Sequence, residues 1–154
     1  MMVRYEPWGA WVKLESQPAV VALDRAGVKA LGLDGGPAWL DGAALSAPIE
    51  VHMAVTARCG AGCEGCYLDA RPDGIEPPRE VLLDELDALR DAGVFTVAFG
   101  GGEPTTRDDL DVLAEAARAR GITPVLTTSG LGLSDARLEK LRGFAQVNVS
   151  YDGA

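Results

Sequence analysis

VFTVAFGGGEPTTRDDLDVLAEAARARGITPVLTTSG, residues 94–130, reads as one strand–helix–strand unit. Val94–Phe99 is a short run of β-branched and aromatic residues, the composition of a strand. Asp108 or Asp109 caps the helix that follows. Leu110, Leu113, Ala114 and Ala117 recur at helical spacing, and Gly121 closes the helix. Ile122–Thr127 is the next strand, where Pro124 predicts a bulge or an irregular edge.

The same alternation extends in both directions. Upstream, Ile49–Val55 places Ile49, Val51, Met53 and Val55 on one face of a strand. Pro77 and Pro78 then open a helix with a stripe of Leu82, Leu86 and Leu89, with Leu83 beside it, ended by Gly93. Downstream, Ser134 caps a helix carrying Leu138 and Leu141, stopped by Gly143, and Ala145–Ser150 is a fourth strand. About four strands alternating with three helices predict an α/β fold of parallel βαβ units. Such units close into a barrel or lie open as a doubly wound sheet, and this pattern is common to both. In either, chemistry sits at the carboxyl ends of the strands.

Four polar or glycine-rich stretches follow the four strands. They are the cysteine segment Cys59-Gly-Ala-Gly-Cys63-Glu-Gly-Cys66-Tyr67, then Gly100-Gly101-Gly102-Glu103-Pro104, Thr127-Thr128-Ser129-Gly130 and Ser150-Tyr151-Asp152-Gly153. Their placement puts all four on one rim. The three cysteines, spaced C-x3-C-x2-C, are all that the chain contains. An odd number cannot form a closed disulfide framework. Thiolates at short spacings suit an iron–sulfur cube, and three ligands leave the fourth iron open to a small chelator. The intervening glycines allow positive φ and close backbone approach. A structural zinc site would need a fourth ligand, and His52 stands seven residues away on a strand.

C-x3-C-x2-C after an apolar strand, followed by GGEP and S-x-D-G at later strand ends, resembles the radical S-adenosylmethionine (SAM) superfamily, in its peptide-modifying and cofactor-maturing branch. The chain departs from the usual pattern in having Gly65 before the third cysteine and Tyr67 after it. The resemblance covers about residues 49–153. It implies a partial parallel (β/α) barrel, residues 49–154, after a β-rich leader, residues 1–48. It implies Cys59, Cys63 and Cys66 as ligands of a [4Fe–4S] cluster whose open iron binds SAM. Gly101, Gly102 and Glu103 would meet the SAM amino group, Thr127 and Ser129 its ribose, and Ser150 is a further contact. The implied activity is reductive cleavage of SAM to a 5′-deoxyadenosyl radical, which abstracts hydrogen from a peptide or small molecule. An electron donor such as a flavodoxin or ferredoxin is implied with it. The alternative is a truncated, non-catalytic iron–sulfur or metal-binding module that serves as a remnant or partner subunit. A full barrel has about six βα units, so the chain is expected to be a shortened product, a piece, or one half that meets a missing C-terminal barrel half.

The leader has its own pattern. Gly9–Leu14 and Ala19–Leu23 read as two short strands separated by Pro18, and Asp24–Leu33 as one or two helical turns capped by Asp24. Trp8, Trp11 and Trp39 are expected to anchor this piece to the barrel. The remaining bounds are compositional. With 154 residues, 47% hydrophobic and 24% charged, the chain can build a soluble core. A net charge of −9 disfavours a nucleic-acid partner. The sequence has no apolar run long enough to span a bilayer and no apolar leader of the secretory type. Clustered cysteines point to a reducing, cytoplasmic setting.

Overall fold

A computed structural model describes residues 1–15, 19–39 and 45–151. The chain divides into two compact units, Met1–Ile49 and Glu50–Ala154.

The first unit is an antiparallel sheet of β1 (Met2–Glu6), β2 (Gly9–Lys13) and β3 (Val20–Asp24), in that spatial order. The sequence predicts β2 and β3. It misses β1, whose Arg4 and Glu6 break the apolar alternation. Both lie on one buried side of the strand, where Arg4 Nε donates to Glu6 Oε1 at 2.9 Å. Glu6 also accepts from the backbone N–H and hydroxyl of Ser46, both at 2.9 Å, and Arg4 donates to the Pro48 carbonyl. A pair of opposite charges thus takes the place of apolar residues and fastens the unit's last segment to its first strand. Pro18 lies outside the described residues. Asp24 caps α1 (Arg25–Ala30), accepting from the Gly27 N–H at 2.7 Å. Ala10, Val12 and Val28 form the core, with Val3, Tyr5, Leu23, Leu33 and Trp39 against it. Trp39 lies edge-on to Tyr5 and donates its indole N–H to the Gly9 carbonyl, while Trp8 stands edge-on to Trp11. These ring and indole contacts all lie within the first unit.

The second unit is a four-stranded, wholly parallel sheet. Its strands are β4 (Glu50–Thr56), β5 (Thr96–Gly101), β6 (Thr123–Thr128) and β7 (Gln146–Val149), neighbours in chain order. The connecting helices are α2 (Arg79–Asp91), α3 (Leu110–Ala119) and α4 (Asp135–Lys140). Leu82 and Leu86 of α2 share one core with Leu110, Leu113, Ala114 and Ala117 of α3, and with Met53, Val55, Val97, Phe99 and Leu126 of the strands. Both helices therefore cover the same sheet face. Strands that follow one another in order, with crossovers on one side, describe an arc of a barrel; a doubly wound sheet would have helices on both faces. The opposite face carries the small side chains of Ala54 and Ala98.

Pro124 causes no bulge. It sits in register with Val97 in an interior strand, and the β6–β7 ladder begins only at Val125. The irregularity lies instead in β4, where the pairing with β5 skips Val55 between Ala54 and Thr56. Ser134 occupies the N-cap position of α4 without a side-chain cap bond, and Leu138 is exposed, so Leu141 and Phe144 carry that connection's burial. All four residues of β7 are exposed. Among the described residues no helix is long and apolar enough to cross a membrane.

Phe99 is fully buried, with its ring edge-on to Phe144 at 5.7 Å between centroids. Phe99→Ala is expected to lower the unfolding free energy by about 3–5 kcal/mol, read from the midpoint of urea denaturation followed by far-ultraviolet circular dichroism.

Candidate functional site at the strand ends

Because all four strands are parallel, Thr56, Gly101, Thr128 and Val149 end on the same edge of the sheet. The four stretches singled out in the sequence continue from that edge.

The cysteine segment leaves β4 and returns to it. The Ala57 N–H donates to the Ile75 carbonyl at 2.7 Å and the Arg71 N–H to the Ala57 carbonyl at 3.1 Å. The Cys59 N–H donates to the Arg71 carbonyl at 2.9 Å. Both stems are therefore laced together, and the cysteines stand on a closed loop between them. Within the loop Gly62 and Gly65 adopt φ of 66° and 72°, as expected from the sequence. All three thiols are free, and Cys63 is exposed. The Ala61 N–H approaches Cys59 Sγ at 3.4 Å. Backbone N–H groups of Ala70 and Leu68 point at the Cys66 sulfur and draw its pKa below the usual thiol value.

The next strand end seats itself on that base. The Gly102 N–H donates to the Thr56 carbonyl and the Glu103 N–H to the Arg58 carbonyl, each at 2.7 Å. Such contact needs glycine. Gly101 has φ of 117°, and a Cβ there would lie 2.3 Å from the Thr56 oxygen. A Cβ on Gly102 would lie 2.2 Å from the Arg58 oxygen. The sequence reading assigns these glycines to a ligand ammonium. In the structure they also serve the fold, bringing GGE within one residue of Cys59.

Glu103 is buried, and its carboxylate is fully engaged. Oε1 accepts from the Thr105 N–H at 3.1 Å and from the hydroxyls of Thr105 and Thr128, both at 2.6 Å. Oε2 accepts from the Ser129 N–H at 2.9 Å and the Ser129 hydroxyl at 2.6 Å. A carboxylate has about four lone-pair sites, so these five bonds saturate it. Burial pushes its pKa up, yet the bonds from Ser129, Thr105 and Thr128 outweigh burial and hold it below the ordinary value. Glu103 thus joins the end of β5 to the end of β6.

The structure brings Gly101, Gly102, Glu103 and Ser129 together beside the cysteine stem. Ser129 gives its hydroxyl hydrogen to Glu103 and accepts from the Leu131 N–H at 3.2 Å. Thr127 is half-buried and points away from Thr128, since neighbours alternate along a strand. The Ser150 N–H donates to the Thr128 carbonyl at 2.9 Å, which sets Ser150 beside the β6 end. Asp152 and Gly153 lie outside the described residues. Thr105 and Arg107 escaped the sequence reading. The hydroxyl-rich Thr105-Thr106 next to Glu103, and Arg107 two residues before Asp109, were the available signals.

The sequence pattern of the Radical SAM superfamily matches residues 53–154. The chain belongs to the radical SAM superfamily. Fe-coproporphyrin III synthase of Methanosarcina barkeri is 37% identical over 105 residues, 64% of this chain and 26% of that protein. PqqA peptide cyclase of Rhodopseudomonas palustris is 36% identical over 111 residues, 70% of this chain and 29% of that protein. The chain therefore spans less than a third of the length of these relatives. Streptococcus suis SuiB bound to its precursor peptide SuiA superposes with a TM-score of 0.67 at 20% identity, covering 94% of this chain and 45% of that one. SuiB bound to S-adenosylmethionine gives the same score. These superpositions show a shared fold.

Family membership implies a [4Fe–4S] cluster and S-adenosylmethionine as cofactors. The donor set fits such a cluster: three free thiols stand on one loop, and backbone N–H groups favour the thiolate of Cys66. Among the described residues no three His, Cys, Asp or Glu side chains are gathered as tightly as a single ion requires.

Gly102→Ala is expected to cost about 2 kcal/mol, read as a shift in the urea midpoint. Gly60→Ala, whose Cβ would meet nothing within 4 Å, should leave the unfolding free energy within about 1 kcal/mol of wild type. A second expectation concerns acid. The Glu103 carboxyl is depressed in the folded chain, so its stabilisation is complete above the unfolded value of about 4.3 and fades as pH falls through the folded value. Urea midpoints measured from neutral pH down through this range should fall, and Glu103→Gln, destabilised throughout, should fall less steeply.

Proposed function

We propose that residues 49–154 are the cluster- and SAM-binding part of a radical SAM enzyme that modifies a peptide. Cys59, Cys63 and Cys66 hold the cluster. Gly101 and Gly102 turn backbone toward the amino group of SAM, Thr127 and Ser150 offer hydroxyls to its ribose, and Ser129 has one remaining lone pair for it. Glu103 acts on this site largely through Ser129 and Thr128, because its own oxygens are occupied. The observation that carries the reading is the pair of backbone bonds from Gly102 and Glu103 to Thr56 and Arg58. They fix the GGE strand end against the cysteine stem, where a molecule chelating iron would also meet the glycines.

When bound, the cluster supplies the single electron that cleaves SAM to methionine and a 5′-deoxyadenosyl radical competent to abstract hydrogen. This chain's residues present the thiolates, orient the cosubstrate, and hold the Glu103 charge away from water. A peptide substrate is favoured because relatives include a PqqA peptide cyclase and a solved neighbour binds a precursor peptide. An electron donor of the flavodoxin or ferredoxin type, a cytoplasmic setting and a C-terminal barrel half supplied by further sequence or a second chain complete the proposal. The three free thiols on one loop suit that reducing compartment.

The test is anaerobic reconstitution with iron and sulfide, followed by dithionite and SAM. Cubane absorption, an electron-paramagnetic-resonance signal that changes on adding SAM, and 5′-deoxyadenosine are expected. Cys63→Ser should lose the absorption and the signal. A reduced cluster that neither responds to SAM nor yields 5′-deoxyadenosine would leave a non-catalytic iron–sulfur module in place of the enzyme.

A further inference from the structure

Arg107 follows the GGEP stretch and is buried, yet none of the roles above uses it. Its Nε and Nη2 donate to Asp109 Oδ1 and Oδ2 at 2.8 and 3.0 Å, a two-pronged ion pair. Its Nη1 donates to two backbone carbonyls from distant parts of the chain, Val55 at 2.8 Å and Pro77 at 2.9 Å. Asp109, at the N-cap position of α3, makes no side-chain cap bond there. Its carboxylate serves Arg107.

The two carbonyls are the informative feature. Val55 is the residue that the β4–β5 register skips, one position before Thr56 and four before Cys59. Pro77 is the residue from which the chain, having left the cysteine loop, enters α2. One guanidinium nitrogen therefore holds the outgoing and the returning stem of the segment that carries all three thiols. The bulge at Val55 turns Thr56 so that its carbonyl meets the Gly102 N–H. A planar, permanently charged fork can reach two carbonyls and a carboxylate together; a lysine ammonium cannot span them.

We propose that Arg107 is a positioning residue for the cluster, clamping both stems of the cysteine segment and setting where the thiolates stand. The assignment rests on the reading of Cys59, Cys63 and Cys66 as cluster ligands, and the experiment separates the two. Amide hydrogen exchange of the iron-free full chain is followed by mass spectrometry for wild type, Arg107→Gln, Arg107→Lys and Arg120→Gln. Arg120 serves as the control, because its two-pronged bond to Asp87 ties α3 to α2 at 2.7 and 3.1 Å without touching the loop stems. Loss of charge-assisted bonds should speed exchange across residues 57–76 about tenfold or more in both Arg107 variants, with α3 changed no more than in Arg120→Gln. Should Arg107→Gln fail to fold, Arg107→Lys, which keeps a charge beside Asp109, carries the comparison alone.

The same proteins are then reconstituted anaerobically. The Arg107 variants should retain several-fold less iron and sulfide, or show a displaced resonance signal, while Arg120→Gln loads as wild type. Exchange across 57–76 that matches wild type, or that rises only as much as in α3, overturns the clamp. Normal loading with an unchanged signal in Arg107→Lys overturns its bearing on the cluster. If wild type takes up no iron while residues 57–76 still loosen in the Arg107 variants, the clamp stands and the cluster reading falls.

Discussion

The end of β5 must touch the exit of β4 along bare backbone. Gly102 and Glu103 donate to the carbonyls of Thr56 and Arg58, and the two segments approach too closely for a Cβ at Gly101 or Gly102. Much else depends on that contact. It fixes the direction in which the chain leaves β5, so that Glu103 turns beneath the strand ends. It sets Cys59 one residue beyond a carbonyl already committed to the neighbouring strand. It also depends on the skipped residue in β4, because an unbroken ladder would carry the Thr56 carbonyl out of reach.

Beneath the contact lies a second layer of order made from charge. Glu103 gathers Thr105, Thr128 and Ser129, and Arg107 gathers Val55, Pro77 and Asp109. A lone buried charge is costly, but one saturated with hydrogen bonds is held rigidly and defines a unique arrangement. The carboxylate joins strand ends laterally, β5 to β6. The guanidinium joins the path into the cysteine loop to the path out of it. Between them, two neighbouring side chains of one connection organise three of the four strand ends.

The sheet and helices were legible because they follow simple periods. Leu82 and Leu86, then Leu110, Leu113, Ala114 and Ala117, recur as a helix demands, and the strands stand out as β-branched runs between glycines. That the sheet is a barrel arc was not in the periods; it emerged from the α2 and α3 residues sharing one core on one face. β1 was hidden because Arg4 and Glu6 form a buried ion pair where alternation would ask for apolar side chains. Pro124 misled because a missing N–H matters only where a partner strand calls for it, and β7 starts pairing one residue later. At the site, the cysteines and glycines were visible through their spacing. Glu103 and Ser129 were visible as candidates for ligand contact, but their bond to each other joins residues 26 apart and follows from the parallel register alone. Arg107 left no periodic trace, since its partners are main-chain atoms 30 and 52 residues away.

The lacing of the cysteine loop at Ala57–Ile75 and Cys59–Arg71 bears on how iron would be captured. Drawing the ends of a floppy segment together carries an entropic penalty, and here the sheet's own folding absorbs it before any metal arrives. On the proposed reading of the three cysteines as ligands, their standing on one closed loop would make each iron–thiolate bond after the first an intramolecular event. On that reading the chain would compete for scarce iron by geometry in advance of contact, with its avidity for the metal set by hydrogen bonds that never touch it.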